Sequence, residues 1–141
     1  MAKVLIADDD LFYREIISRC IQSMGHGSHS VRDGREALRL LTREPFDLLI
    51  LDVFMDKMGG LDLLLGLTNI SETSGASRIP TIIVTSDDSK DTEQQAREAK
   101  ATFFLLKPFH PETLATVVEQ ALRTSNASRA SMRSTASVAS G

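Results

Sequence analysis

A chain of 141 residues with 42% hydrophobic content can bury one core of its own without disulfides. A net charge of −3 excludes a general basic field, so this sequence is not expected to bind nucleic acid directly. The lone cysteine, Cys20, and apolar runs of only a few residues after Met1-Ala2-Lys3 exclude a disulfide framework, a signal peptide and a membrane span, and a reduced, cytoplasmic setting is expected.

Val4 to Ala7 opens the chain as a short continuous apolar run, the pattern of a strand buried on both faces. The first helix carries Phe12, Ile16, Cys20 and Met24 at four-residue spacing with Ile17 and Ile21 alongside, and Gly25 supplies its stop. Ser28 to Val31 is a polar strand, expected at a sheet edge. Asp33-Gly34-Arg35-Glu36 resembles a capping box and opens a second helix through Ala37, Leu38 and Leu41. Leu48 to Leu51 is the third strand, a third helix is expected from about Leu61 to Leu67, and the polar stretch Thr68 to Arg78 reads as a loop.

Thr81 to Val84 and Phe103 to Leu106 are two further apolar runs, both read as buried strands. Between them, about Lys90 to Lys100 forms a helix whose apolar residues are Ala96 and Ala99 alone, so it buries little and should be the most easily displaced element. Pro111 starts the last helix, whose Leu114, Val117, Val118, Ala121 and Leu122 follow helical spacing. The expected domain is 1–123, followed at 124–141 by a Ser/Ala-rich disordered tail or linker that lacks the apolar groups to offset its ordering entropy.

Strands alternating with helices predict an open α/β sheet, in which ligands gather at the carboxyl ends of the strands. Those ends carry Asp8-Asp9-Asp10, Asp52, Thr85-Ser86 and Lys107-Pro108. If the first and third strands are neighbours, Asp8, Asp9 and Asp52 converge, and their mutual repulsion calls for a cation. An all-oxygen donor set too small to enclose an ion suits Mg²⁺, which keeps waters and accepts phosphate oxygens. Lys107 supplies a mobile positive charge and Thr85 a hydroxyl, which together describe a phosphoryl site with a carboxylate nucleophile. Asp10 reads as a helix cap, and His26, His29 and His110 have no metal-ligand spacing.

Five separated segments in order, Val4-Leu5-Ile6-Ala7-Asp8-Asp9, Leu49-Ile50-Leu51-Asp52, Met58-Gly59-Gly60, Ile83-Val84-Thr85-Ser86 and Lys107-Pro108-Phe109, resemble the receiver domain of two-component response regulators. The resemblance covers about Lys3 to Arg123 and implies a (βα)5 flavodoxin-like doubly wound parallel sheet of strand order 2-1-3-4-5. It further implies that Asp52 is the phosphoacceptor, that Asp8, Asp9, Asp52 and the backbone carbonyl of Phe54 hold Mg²⁺, and that Lys107, set by a cis bond before Pro108, pairs with the phosphoryl group. Thr85 and Phe104 would be the switch pair, acting on a surface made by the fourth helix, fifth strand and fifth helix. The implied partners are a histidine kinase or histidine phosphotransfer protein and a phosphorylation-dependent second copy of the chain. The protein would be a signalling receiver, catalysing only its own phosphotransfer and dephosphorylation. Two positions depart from the family's habit: Asp56 replaces a common proline and Lys100 a common glycine.

Two rival readings are weighed against this one. A receiver-like binding module that signals without phosphorylation would not require all five chemical positions. A haloacid-dehalogenase-type phosphatase also uses Asp-x-Asp, and Asp8-Asp9-Asp10 fits that pattern. Phe12, however, stands where that motif wants Thr or Val, and only Glu112 and Glu119 remain to supply the acidic pair after the lysine.

Overall fold

A computed structural model describes residues 1–74 and 78–124, without the side chains of 71–74. The elements are β1 (Lys3–Ala7), α1 (Leu11–Ser23), β2 (Gly27–Val31), α2 (Gly34–Leu41), β3 (Leu48–Leu51), α3 (Gly60–Ser74), β4 (Thr81–Thr85), α4 (Lys90–Glu98) and β5 (Phe103–Leu106). A last helix, α5, follows over residues 111–124. The Ser/Ala-rich stretch 125–141 lies outside the described residues.

All strand pairs are parallel and the order is β2-β1-β3-β4-β5, as the sequence reading expects. Because side chains alternate along a strand, each central strand feeds two cores. Leu5, Ala7, Leu49, Leu51 and Ile83 face one core with Ala37, Leu63, Leu64, Ala96 and Ala99 of the α2–α4 side. Val4, Ile6, Leu48, Ile50, Ile82 and Val84 face the other, with Ile17, Cys20 and Ile21 of α1 and Leu114, Val118 and Ala121 of α5. The apolar runs are continuous because both faces of these strands are covered.

The buried face of α1 is rotated from the expected stripe. Ile17, Cys20 and Ile21 are buried, whereas Phe12 is 62% exposed and Ile16 is only half-buried. Four-residue spacing marks a stripe that drifts around a 3.6-residue helix, and the face toward the sheet is the one through Tyr13, Ile17, Cys20, Ile21 and Met24. Ile17→Ala should therefore lower unfolding stability by about 2–5 kcal/mol, while Phe12→Ala should change it by under about 0.5 kcal/mol. Urea melts of the two variants check this, and a large loss at Phe12 would contradict the observed rotation.

Two other boundaries and the burial of one strand differ from expectation. Helix α3 continues to Ser74 instead of ending near Leu67, and Thr68 is a buried residue whose hydroxyl donates to the carbonyl of Ala99 at 3.1 Å. Polar residues here line a helix and bind a neighbour, so composition alone misread them as a loop; residues 75–77 of that stretch lie outside the described residues. Strand β5 is half-exposed, with Leu106 at 40%, because it pairs only with β4 at the sheet edge. Helix α4 ends at Glu98 and buries Thr92 as well as Ala96, with Ala99 at its C-cap. Ser89 caps its N-terminus by accepting from the Thr92 amide.

The edge position expected for β2, the Asp33 cap and the Gly25 stop are all present. Asp33 Oδ1 accepts from the Glu36 amide at 2.8 Å, and Gly25 adopts φ +84°. Lys100 takes φ 65°, the left-handed conformation that a glycine there would adopt without strain.

Candidate phosphoryl-transfer site

The carboxyl ends of β1, β3, β4 and β5 meet at one edge of the sheet, as parallel order requires. The register of Ala7 with Leu51 carries Asp8 and Asp52 out of adjacent strands side by side. The Asp52 amide also donates to the Ala7 carbonyl at 2.9 Å, extending the ladder by one bond. One carboxylate oxygen from each of Asp8, Asp9 and Asp52 lies within 4.8 Å of the other two. Asp8 and Asp52 are buried and Asp9 is exposed, so the cluster has two inner groups and one at its mouth.

Lys107, just past the end of β5, reaches across this cluster. Its Nζ donates to Asp8 Oδ2 at 2.6 Å and to Asp52 Oδ2 at 2.9 Å, with only 7% of the side chain exposed. The following peptide bond, Lys107–Pro108, is cis, as expected. Burial pushes the Asp8 carboxyl above its ordinary range, by more than its bonds from Lys107 and the Asp10 amide draw it down. Burial alone would draw the Lys107 ammonium down, but its bonds to Asp8 and Asp52 outweigh that and hold it above its ordinary value. One cation thus faces three carboxylates, leaving a net negative, all-oxygen cluster.

Local backbone geometry fixes the acceptor. Helix α1 starts beside it because Asp10 caps the first turn, accepting from the Phe12 amide at 2.9 Å. Asp8 Oδ1 accepts from the Asp10 amide at 2.9 Å, and Arg14 donates to the Asp8 carbonyl at 2.8 Å. After Asp52, the Met58-Gly59-Gly60 turn folds back so tightly that a Cβ on Gly60 would lie 2.1 Å from the Asp52 carbonyl oxygen. Only glycine fits there. The Phe54 amide donates to Asp52 Oδ1 at 3.3 Å, and its side chain is 59% exposed. A cleft of about 570 Å³ opens beside the cluster, lined by Asp9, Phe54, Lys57, Leu61, Asp62 and Gln95 among others.

Of the residues singled out from sequence, Asp8, Asp9, Asp52 and Lys107 are brought together. Thr85 is fully buried at the end of β4, next to β3, where its hydroxyl accepts from the Asp87 amide at 3.3 Å. Phe104 is not part of the cluster: it pairs with Ile83 in the sheet and packs, half-buried, against the core on the α4 side. Sequence reasoning passed over Tyr13 and Arg14. The first lies with its ring 4.2 Å from the Lys107 ammonium, and the second holds the Asp8 backbone. Tyr13 stands at helical spacing before Ile17, and choosing the Phe12 stripe hid it.

A parallel doubly wound sheet with acidic groups from two adjacent strands and a lysine from the edge strand defines the class of receiver modules. The family model described as the response regulator receiver domain matches residues 4–119, and the chain belongs to that family. It is similar to the response regulator protein PilR of Pseudomonas aeruginosa, with 36% identity over 88% of this chain and 27% of PilR. It is also similar to the response regulator MprA of Mycolicibacterium vanbaalenii, with 31% identity over 86% of this chain and 50% of MprA. The chain therefore spans half or less of the length of these curated relatives. Among solved structures, the chemotaxis response regulator CheY4 of Vibrio cholerae superposes with a TM-score of 0.77 at 34% identity, over 86% of this chain and 99% of that one. This chain thus carries a receiver domain of the two-component response-regulator kind, a signalling module, and nothing in these likenesses favours the phosphatase or phosphorylation-independent readings. Among the described residues, no helix is long and apolar enough to cross a membrane.

Proposed function

We propose that Asp52 is the phosphoacceptor and that residues 1–123 act as a Mg²⁺-dependent receiver for a histidine kinase or a histidine phosphotransfer protein. The observation that carries this reading is the Lys107 ammonium spanning the buried carboxylates of Asp8 and Asp52, with Asp9 at the mouth of the same cluster. In the step, an Asp52 carboxylate oxygen forms a bond to phosphorus while the donor's P–N bond breaks and the histidine nitrogen keeps the electron pair. Lys107 leaves Asp52 for the transferred phosphoryl oxygens, and Thr85 offers them its hydroxyl. Asp8, Asp9, Asp52 and the Phe54 carbonyl are the groups that would hold the ion, which when bound supplies positive charge to the phosphoryl oxygens.

Thr85 and Phe104 are the proposed switch pair, linking the site to the face of α4, β5 and α5. The half-buried setting of Phe104 and the small apolar anchorage of α4 support that role. A second copy of the chain is a proposed partner of this face in the phosphorylated state. The reading includes a cytoplasmic setting, no direct contact with nucleic acid, no turnover beyond the chain's own phosphotransfer and dephosphorylation, and a tail or linker role for 124–141. The deciding measurement is intact mass after incubation with a small phosphodonor and Mg²⁺, and a chain that gains no phosphoryl group would overturn the proposal.

The raised Asp8 carboxyl gives a second test. A carboxyl held above its ordinary value favours the fold while protonated, and that stability is lost as pH rises through its folded value. At pH 7 without metal, Asp8→Asn removes the carboxylate that burial disfavours and leaves Lys107 its bond to Asp52, so it should raise Tm. The same variant should lose most of the Tm increase that Mg²⁺ gives the wild type. Melts in chelator and in Mg²⁺ read both arms, and an Asn variant that melts lower and still responds fully to Mg²⁺ would count against this role for Asp8.

A further inference from the structure

Two of the three N–H groups of the Lys107 ammonium are used on Asp8 and Asp52. Its remaining side is covered by the face of Tyr13, whose ring centroid lies 4.2 Å from Nζ. That ring meets two others. Phe109 packs against it at 5.8 Å with a 43° tilt, and Phe12 meets it edge-on at 5.3 Å. Ile17, one turn further along α1, is fully buried and anchors the same helix face.

We propose that Tyr13 is a positioning residue of the phosphotransfer site, its ring face holding the Lys107 ammonium at the acceptor carboxylate. The proposal rests on the roles given above to Asp52 and Lys107. A lysine ammonium is a point charge on a flexible four-carbon stem, so two carboxylate bonds leave it free to swing toward Asp8 or toward water. A ring face attracts a cation without a fixed bond direction. Lys107 can therefore exchange the Asp52 oxygen for a phosphoryl oxygen while keeping the aromatic contact, and it stays aimed at the acceptor through the exchange. The ring also takes the place of water on the one side of the ammonium that no carboxylate covers.

The contact has a signature that simple packing lacks. Protons held over a ring face are shielded by its ring current, so the Lys107 ε-methylene resonances should lie upfield in the metal-free chain, assigned by their loss in Lys107→Met. Tyr13→Phe keeps the ring and should keep both the upfield shift and most of the phosphorylation rate. Tyr13→Leu should lose the shift and slow phosphodonor labelling by about three- to tenfold. Tyr13→Met serves as a second ring-free variant should leucine disturb the fold. Lys107 ε-protons at ordinary positions in the wild type, or ring-free variants labelled at the wild-type rate, would overturn the assignment. A wild type that takes no Asp52-dependent adduct removes the underlying phosphotransfer reading, and the role of Tyr13 with it. That failure is distinguishable because it appears in every variant alike.

Discussion

Asp52→Asn stays at its unmodified mass after incubation with a small phosphodonor and Mg²⁺, under conditions in which the wild-type chain gains one phosphoryl group. The substitution preserves volume and leaves a side-chain oxygen to accept from the Phe54 amide, so the fold should survive. What it removes is the anionic oxygen that attacks phosphorus, for an uncharged amide oxygen is a far poorer nucleophile. Asp8 and Asp9 remain, and Asp8 is held by shorter bonds, 2.6 Å from Lys107 and 2.9 Å from the Asp10 amide, than the 2.9 Å and 3.3 Å bonds that Asp52 accepts from Lys107 and the Phe54 amide. An adduct that persists in the variant would assign the acceptor to another residue.

Lys107→Met gives the second large effect, and its parts move in opposite directions. Without metal, two buried carboxylates lose the ammonium that joins them, and breaking a buried pair of this kind costs about 3–5 kcal/mol. The melting temperature in chelator should fall accordingly. Affinity for Mg²⁺ should rise, because the positive charge competing for Asp8 and Asp52 is gone. Labelling should nonetheless slow by about 100-fold, the scale on which one oriented charge or donor acts in a transition state. Calorimetric titration with Mg²⁺ and the time course of labelling separate the two. If both weaken together, Lys107 is a structural brace and not the phosphoryl partner proposed for it.

Much of the site was legible in the chain because its residues end strands. A short apolar run followed by Asp8-Asp9, by Asp52, by Thr85 or by Lys107 announces both the strand and the polar group at its tip, and parallel order does the rest. The exchange at α1 failed for a reason of geometry. Phe12 and Ile16 are as apolar as Ile17 and Ile21, and only docking against β1, β3 and α5 decides which of these apolar positions face inward. The same error concealed Tyr13, since its importance comes from a lysine ninety-odd positions away in sequence and 4.2 Å away in space. Helix α3 ran past its expected end because Thr68 satisfies its hydroxyl on Ala99, a partner that local composition cannot reveal.

By itself, then, the amino-acid order determined the alternating architecture, the buried central strands and the chemical character of their ends, because periodicity and residue type act over a few neighbours. How far β5 is exposed, whether Phe12 or Tyr13 lies on the inward face of α1 and how Lys107 divides itself among Asp8, Asp52 and Tyr13 were decided only on folding. Those outcomes depend on distances between segments far apart in the chain, and such distances exist only once the sheet has formed.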